Sequence, residues 1–488
     1  MKDLARLAID EAMRRGATYA DARILRSRRQ ELRAEDRRLG GFTDAEDVGI
    51  GVRVLAGGAW GFAGSHELTR DEALRVAAEA VAVARASARC ARREVVLAPE
   101  AARTGSFASD VRIDPFAVDP ADKAGLLLEL TAGLLANPGV RRATAWMTLR
   151  RAERLFLSSE GHDLQSDVTT TGCSYTATAV GGGDARSRTF EVPPRTLGYE
   201  NLDRARLLGE VERVAAQAVE HLSAPSCPEG RLDLVLDPHN LALTIHESVG
   251  HATELDRVLG YEESLAGRSF ATPDFLGGAY GSPEVTFVAD NTLPGGLATH
   301  GFDDEGVEGQ RWHIVREGVF EGYGTGREVA AELGMERSNG TCRADHWSSI
   351  PIVRIPNLSL MPGKRPLSPE ELIADTKDGI YIEGRGSFSI DQMRVNFQFG
   401  GDAAWRIKNG KLDGMLKNVT YQSMTTEFWG SCDAVCDERH WVPNGVLQCG
   451  KGDPVQISQM THGAATARFR DVMVGGAVGG MKPSTGVV

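Results

Sequence analysis

The stretch "TIHESVGHATELD" (244–256) sets two histidines, His246 and His251, around Glu247, which directly follows the first of them. Imidazoles and a carboxylate are the residue types that hold a metal ion and move a proton beside it. In the metal-binding spacing H-E-x-x-H the histidines are four apart; here they are five apart. On a regular helix, with about 100° per residue, a separation of four leaves side chains about 40° apart, but five leaves them about 140° apart. A straight helix would therefore aim these rings away from each other. A π-type turn, closing over about five residues, brings them back onto one ion. Gly250 is expected to lower the cost of that distortion. Glu247 lies four before His251, close enough to reach a metal-bound water without being a ligand. An ion lowers that water's pKa to about 7, and the carboxylate can take its proton and pass it to a leaving amine. The bland reading is a core-facing helix whose histidines bond only to backbone.

A catalytic zinc needs three protein ligands and an open position. Glu254, three after His251, could be the third or could fix an imidazole tautomer from behind. Cys432, Cys436 and His440 in "SCDAVCDERH" could stack on one helix face as a separate site, although a pair of reduced structural cysteines is the simpler reading. Cys449 in "LQCGKGDP" precedes a glycine-rich turn where a thiolate could approach an ion. His239, His300, His313, His346 and His462 show no distinctive spacing and read as surface or structural.

The metal-bearing segment (238–256) reads as a helix after the strand "RLDLVLD", capped at Asp237 or Asn240. Before it, the N-terminal half shows one plan twice. A helix (2–15), strands with a hairpin at "VGIGVRVL" and "AWGFAG", and a helix (69–90) are followed by a helix (121–136), strands "RRATAWMTLRR", "RLFLSSEG" and "SDVTTTGCSYTATAV", and a helix (202–222). "SAPSCPEG" (223–230) marks a boundary. After it come mostly short strands with "NG" and "DG" turns. The expected fold class is α+β in two domains. Residues 1–225 form an α/β domain of two related helix–strands–helix units, and residues 226–488 form a β-rich, barrel-like domain that carries the metal helix.

With 488 residues the chain exceeds one hydrophobic core. A formal charge of −12 disfavours a nucleic-acid partner, and the mixed-sign run "RSRRQELRAEDRR" (26–38) reads as a solvated strand pair. No window approaches the roughly 20 apolar residues of a membrane helix, and the N-terminus lacks a signal pattern. Seven scattered cysteines fit reduced thiols, hence a cytoplasmic location, and the missing apolar window implies no membrane partner. "GGG" (181–183) and "GIGVRV" lack a phosphate-binding lysine and read as hairpin glycines.

"HESVGHATELD", "QCGKG" and a late "VGG", together with "GATYADAR", "LSSEG", "FDDEG", "DGIYIEG" and "IKNGK", resemble in order the TldD/PmbA family of zinc-dependent peptidases, once called modulators of DNA gyrase. The resemblance spans nearly the whole chain. It implies Zn²⁺ held by His246, His251 and Cys449, with Glu247 as general base, as in the active TldD-type subunit. It further implies a homodimer, or a heterodimer with a PmbA-type paralogue, enclosing a chamber where extended peptides lie as added strands. A thiolate leaves the ion at net +1, which makes the bound water depend on Glu247. The expected function is hydrolysis of short or unfolded polypeptides. The alternatives are a non-catalytic subunit that grips peptides for a partner, and zinc hydrolysis of an amide in a small molecule.

Overall fold

The computed structural model describes residues 1–475, so the second of the two C-terminal "VGG" triplets (478–480) and the end of the first lie outside the described residues. The N-terminal part runs α1 (Lys2–Arg14), β1 (Tyr19–Glu35), β2 (Arg38–Ala56), β3 (Ala59–Ser65), α2 (Arg70–Ala88) and β4 (Thr104–Ala108). It continues with α3 (Pro120–Leu134), β5 (Val140–Ser158), β6 (Asp163–Gly181), β7 (Asp184–Arg195), α4 (Arg204–Gly209) and α5 (Val211–Ser223). All seven strands form one sheet, in which β1 and β5 pair antiparallel from Asp21↔Ser158 to Glu35↔Thr144. The first strands of the two units therefore meet at the sheet's centre, and each unit packs its helices over its own apolar cluster. The expected hairpin at Ala56↔Ala59 turns through Gly57 and Gly58, both at positive φ, as a two-residue turn matching strand twist requires.

Two sequence expectations change here. "RRATAWMTLRR" and "RLFLSSEG" are not separate strands but one continuous β5, because it is sandwiched between β1 and β6 over nearly its whole length. The helix expected over 202–222 breaks at Glu210 into α4 and α5.

The C-terminal part opens with β8 (Gly230–Leu236) and α6 (Pro238–Ile245). β8 lies inside a nine-stranded sheet that curls into a half-barrel, flanked by strands Asp378–Glu383 and Ala467–Val474. The fold is thus α+β with a β-rich, barrel-like C-terminal part. A separate two-stranded hairpin, Val442–Lys451 with Gln456–Ala464, crosses over α6. Buried ion pairs tie the N-terminal sheet to the C-terminal part: Arg53 bonds both Asp21 and Glu305 of "FDDEG", at 2.8 and 3.0 Å. In the same motif Asp303 accepts from the backbone of Glu305, Val307 and Cys342, so "FDDEG" braces loops and is not a ligand set.

Candidate metal centre

Asp237 caps α6 by accepting from Asn240 N at 2.7 Å, with Pro238 in the first turn. Leu241, Ile245 and Val249 enter the apolar core, which fixes the rotation of the helix. At His246 the helix widens into a π-turn over His246–Gly250, with His251 N bonded to His246 O. A wide turn frees backbone carbonyls, and side chains from elsewhere satisfy them. Tyr280 Oη donates to Ser248 O at 2.6 Å, and Thr253 Oγ1 donates to Val249 O at 2.8 Å. Trp429 Nε1 donates to Ser248 Oγ at 3.0 Å and pins the turn from the other side. The result brings the His246 and His251 rings to 4.8 Å between centroids.

Gly250 does not serve as expected. Its φ of −55° is ordinary right-handed backbone. A Cβ there would sit 2.9 Å from Ile355 Cδ1, so glycine is needed for close packing and not for the bend.

The hairpin supplies sulfur. Cys449 Sγ lies 3.4 Å from His251 Nε2, and one ligand atom each from His246, His251 and Cys449 falls within 4.8 Å of the others. Three donors sharing a tetrahedral zinc would be separated by about 3.5 Å, given Zn–N near 2.0 Å and Zn–S near 2.3 Å. All three residues are buried.

Tautomers follow from the partners. His462 Nδ1 faces Leu358 O at 3.0 Å and must donate to it, so His462 Nε2 accepts from His246 Nδ1–H at 2.9 Å. His251 Nδ1–H donates to Glu254 Oε2 at 2.7 Å. Both rings thereby keep Nε2 with its lone pair for an ion. Burial holds His246 at a pKa of about 4 and His251 well below its ordinary value, which keeps both neutral. Burial would raise the Cys449 thiol, but its neighbour His251 and the Arg354 guanidinium together bring it below its ordinary value. Burial pushes Cys436 up to about 12 and Cys432 higher still. Of the three late cysteines, only Cys449 sits where a thiolate is favoured.

Glu254 thus takes its second-rank role, orienting His251, and is not grouped with the three donors. Cys432 lies on the strand Cys432–Val435 and His440 in a short turn, so the expected helix face is absent; among the described residues they form no cluster with Cys436. His462 is the residue that sequence spacing missed. It reads there as surface or structural, yet it is fully buried behind His246. Glu247 is not a member of the donor cluster; its Oε2 accepts from Arg394 Nη1 at 2.6 Å.

His462→Phe keeps the ring's bulk and removes the acceptor that fixes His246. Metal affinity should fall about 10–100-fold, measured by competition with a chelating dye; unchanged affinity would remove His462 from the site.

The family model of the PmbA/TldA metallopeptidase C-terminal domain matches residues 229–476, and models of domain 1 and of the central domain match 20–84 and 113–223. The chain belongs to the PmbA/TldD metallopeptidase family. A metalloprotease of Synechocystis sp. is 30% identical to it over 453 residues, covering 89% of this chain and 90% of the relative. A zinc metalloprotease TldD homolog of Saccharolobus solfataricus is 22% identical over 478 residues, covering 96% and 99%. The crystal structure of TldE from Thermococcus kodakarensis has the same fold, with a TM-score of 0.75 at 17% identity, covering 98% of this chain and 100% of that one. In this PmbA/TldD family member no helix among the described residues is long and apolar enough to cross a membrane.

Proposed function

We propose that the chain is a zinc-dependent peptidase that hydrolyses short or unfolded polypeptides, with Glu247 as general base. The observation that carries the reading is the convergence of two neutral imidazoles and a thiolate-favouring cysteine within 4.8 Å, with the Glu247 carboxylate next in sequence to one of them. Two nitrogens and one sulfur suit zinc, and one position stays open for chemistry. The Saccharolobus relative named a zinc metalloprotease supports the same ion. When bound, zinc supplies the Lewis acid that polarises a carbonyl and acidifies water. The chain's own residues do the rest. Glu254 and His462 hold the two rings in the metal-ready tautomer, and Glu247 accepts the water proton and returns it to the departing nitrogen. Extended peptides as substrates, a homodimer or a pairing with a PmbA-type paralogue, a cytoplasmic location, and no nucleic-acid or membrane partner complete the proposal.

The test uses purified protein alone on an unstructured fluorogenic peptide, with and without a chelator. Chelator-sensitive cleavage with about one zinc per chain is expected. Cys449→Ser should lose the zinc, while Cys432→Ser and Cys436→Ser should keep it. An inert preparation that cuts only after a second subunit is added would replace this reading with that of a peptide-gripping partner.

A further inference from the structure

We propose that Arg394 is a second catalytic residue of this site, donating to the scissile carbonyl oxygen as that oxygen becomes an anion. The inference rests on the peptidase reading and goes beyond it, since Arg394 belongs to neither the metal donors nor the general base.

Four observations carry it. First, the pairing with Glu247 is one-sided. Arg394 Nη1 donates to Glu247 Oε2 at 2.6 Å, while Nη2 and Glu247 Oε1 have no hydrogen-bond partner among the described residues. One free donor and one free acceptor thus belong to the same bonded pair, as a carbonyl and an attacking water would need. An ion pair kept only for stability gains most from a two-bond fork, which this pair does not form.

Second, the backbone is forced. Arg394 has a φ of +63°, a left-handed conformation that costs energy in a residue with a Cβ and concentrates at functional sites. Third, the turn that holds it is braced. Asp391 accepts from Val395 N, Asn396 N and Asn396 Nδ2 at 2.8–2.9 Å, and Thr425 Oγ1 donates to Arg394 O at 2.6 Å. Arg394 Nε is nevertheless buried without a partner, so the surroundings fix the side chain's direction and do not saturate its hydrogen bonds. Fourth, the guanidinium lies beside the donor set: it is bonded to Glu247, the residue next to His246.

Water's oxygen forms a bond to the carbonyl carbon while its proton passes to Glu247. The carbonyl π pair moves onto the oxygen, where Arg394 Nη2–H meets the new negative charge. The pair then returns, the C–N bond breaks, and Glu247 gives its proton to the leaving nitrogen, yielding a carboxyl group and an amine. A donor aimed at charge that exists only in the transition state raises kcat and leaves KM nearly alone.

The experiment compares zinc-loaded wild type with Arg394→Met and Arg394→Lys. For Arg394→Met, zinc content should be unchanged, kcat should fall about 10²–10³-fold, and KM should change little. Calorimetric affinity for a phosphinic peptide, whose tetrahedral anion mimics the charged oxygen, should fall by a similar factor. Arg394→Lys should recover part of both losses. Unchanged phosphinate affinity, with the acidic limb of the pH–rate profile shifted, would make Arg394 only a positioning residue for Glu247 and overturn the proposal. Full activity of Arg394→Met would overturn it outright. A wild type without chelator-sensitive cleavage sinks the peptidase reading itself, a separate outcome visible before any variant is made.

Discussion

Glu247→Gln is expected to keep its zinc and to lose cleavage by about 10³-fold or more, since positioned proton transfer contributes about 10²–10⁴-fold and here serves two steps. The substitution conserves volume in a buried place, so packing is spared. The amide oxygen can still accept from Arg394 Nη1, which keeps that turn in place. The proposed metal donors are His246, His251 and Cys449, so zinc content measured by elemental analysis should match wild type. What disappears is the capacity to hold a proton between attack and departure. A net +1 ion acidifies water less than a +2 ion with three imidazoles, so little activity should survive without the base. Full turnover by a zinc-replete Glu247→Gln would exclude Glu247 from the reaction. Glu247→Asp, with a shorter reach, should fall between the two.

How far the site was legible depends on whether its geometry is local. The five-residue spacing of His246 and His251 demands a widened turn by arithmetic alone, and the structure has that turn over His246–Gly250. The role of Gly250 differs from the sequence expectation because sequence shows a glycine's freedom and not its neighbours, and Ile355 lies 105 positions further along. Cys449 was separable from Cys432 and Cys436 only by family resemblance. What physically separates them is the company of His251 and Arg354 against apolar burial, a tertiary fact. His462 and Arg394 lay beyond reach for the same reason. His462 joins His246 across 216 positions and Arg394 joins Glu247 across 147, and no periodicity links such pairs. One signal was available: "VLQCGKGDPVQISQMTHGA" reads as a hairpin, and its register puts the strand bearing His462 beside the one bearing Cys449. In the fold, the sequence reading divides β5 where polar residues interrupt "LRRAERLF", because pairing on both edges, by β1 and β6, carries the strand through half-exposed residues that show no strand pattern.

Lys451→Met should lower stability by about 3–5 kcal/mol, the range for removing one partner of a buried ion pair. Lys451 is 3% exposed. Its Nζ lies 2.7 and 2.8 Å from the two Asp256 oxygens, 2.8 Å from Val353 O and 3.2 Å from Glu254 Oε1. Methionine fills the stem's space but leaves Asp256 and Glu254 facing each other without a cation. The loss should therefore come from uncompensated charge and not from a cavity. Denaturant unfolding of the metal-free protein measures it without contribution from zinc. Adding Asp256→Asn to Lys451→Met should restore part of the stability, because it removes one stranded charge; a purely steric effect would leave the double variant no better than the single. The same network reaches the candidate metal centre, since Glu254 Oε1 faces Lys451 while Oε2 holds His251 Nδ1 at 2.7 Å. With the lysine gone, Glu254 loses its anchor and His251 its fixed orientation, so zinc affinity should drop about 10–100-fold alongside the stability. Lys451→Met that unfolds like wild type, within about 1 kcal/mol, would show that the three charges are already screened and that "GKG" serves only the turn.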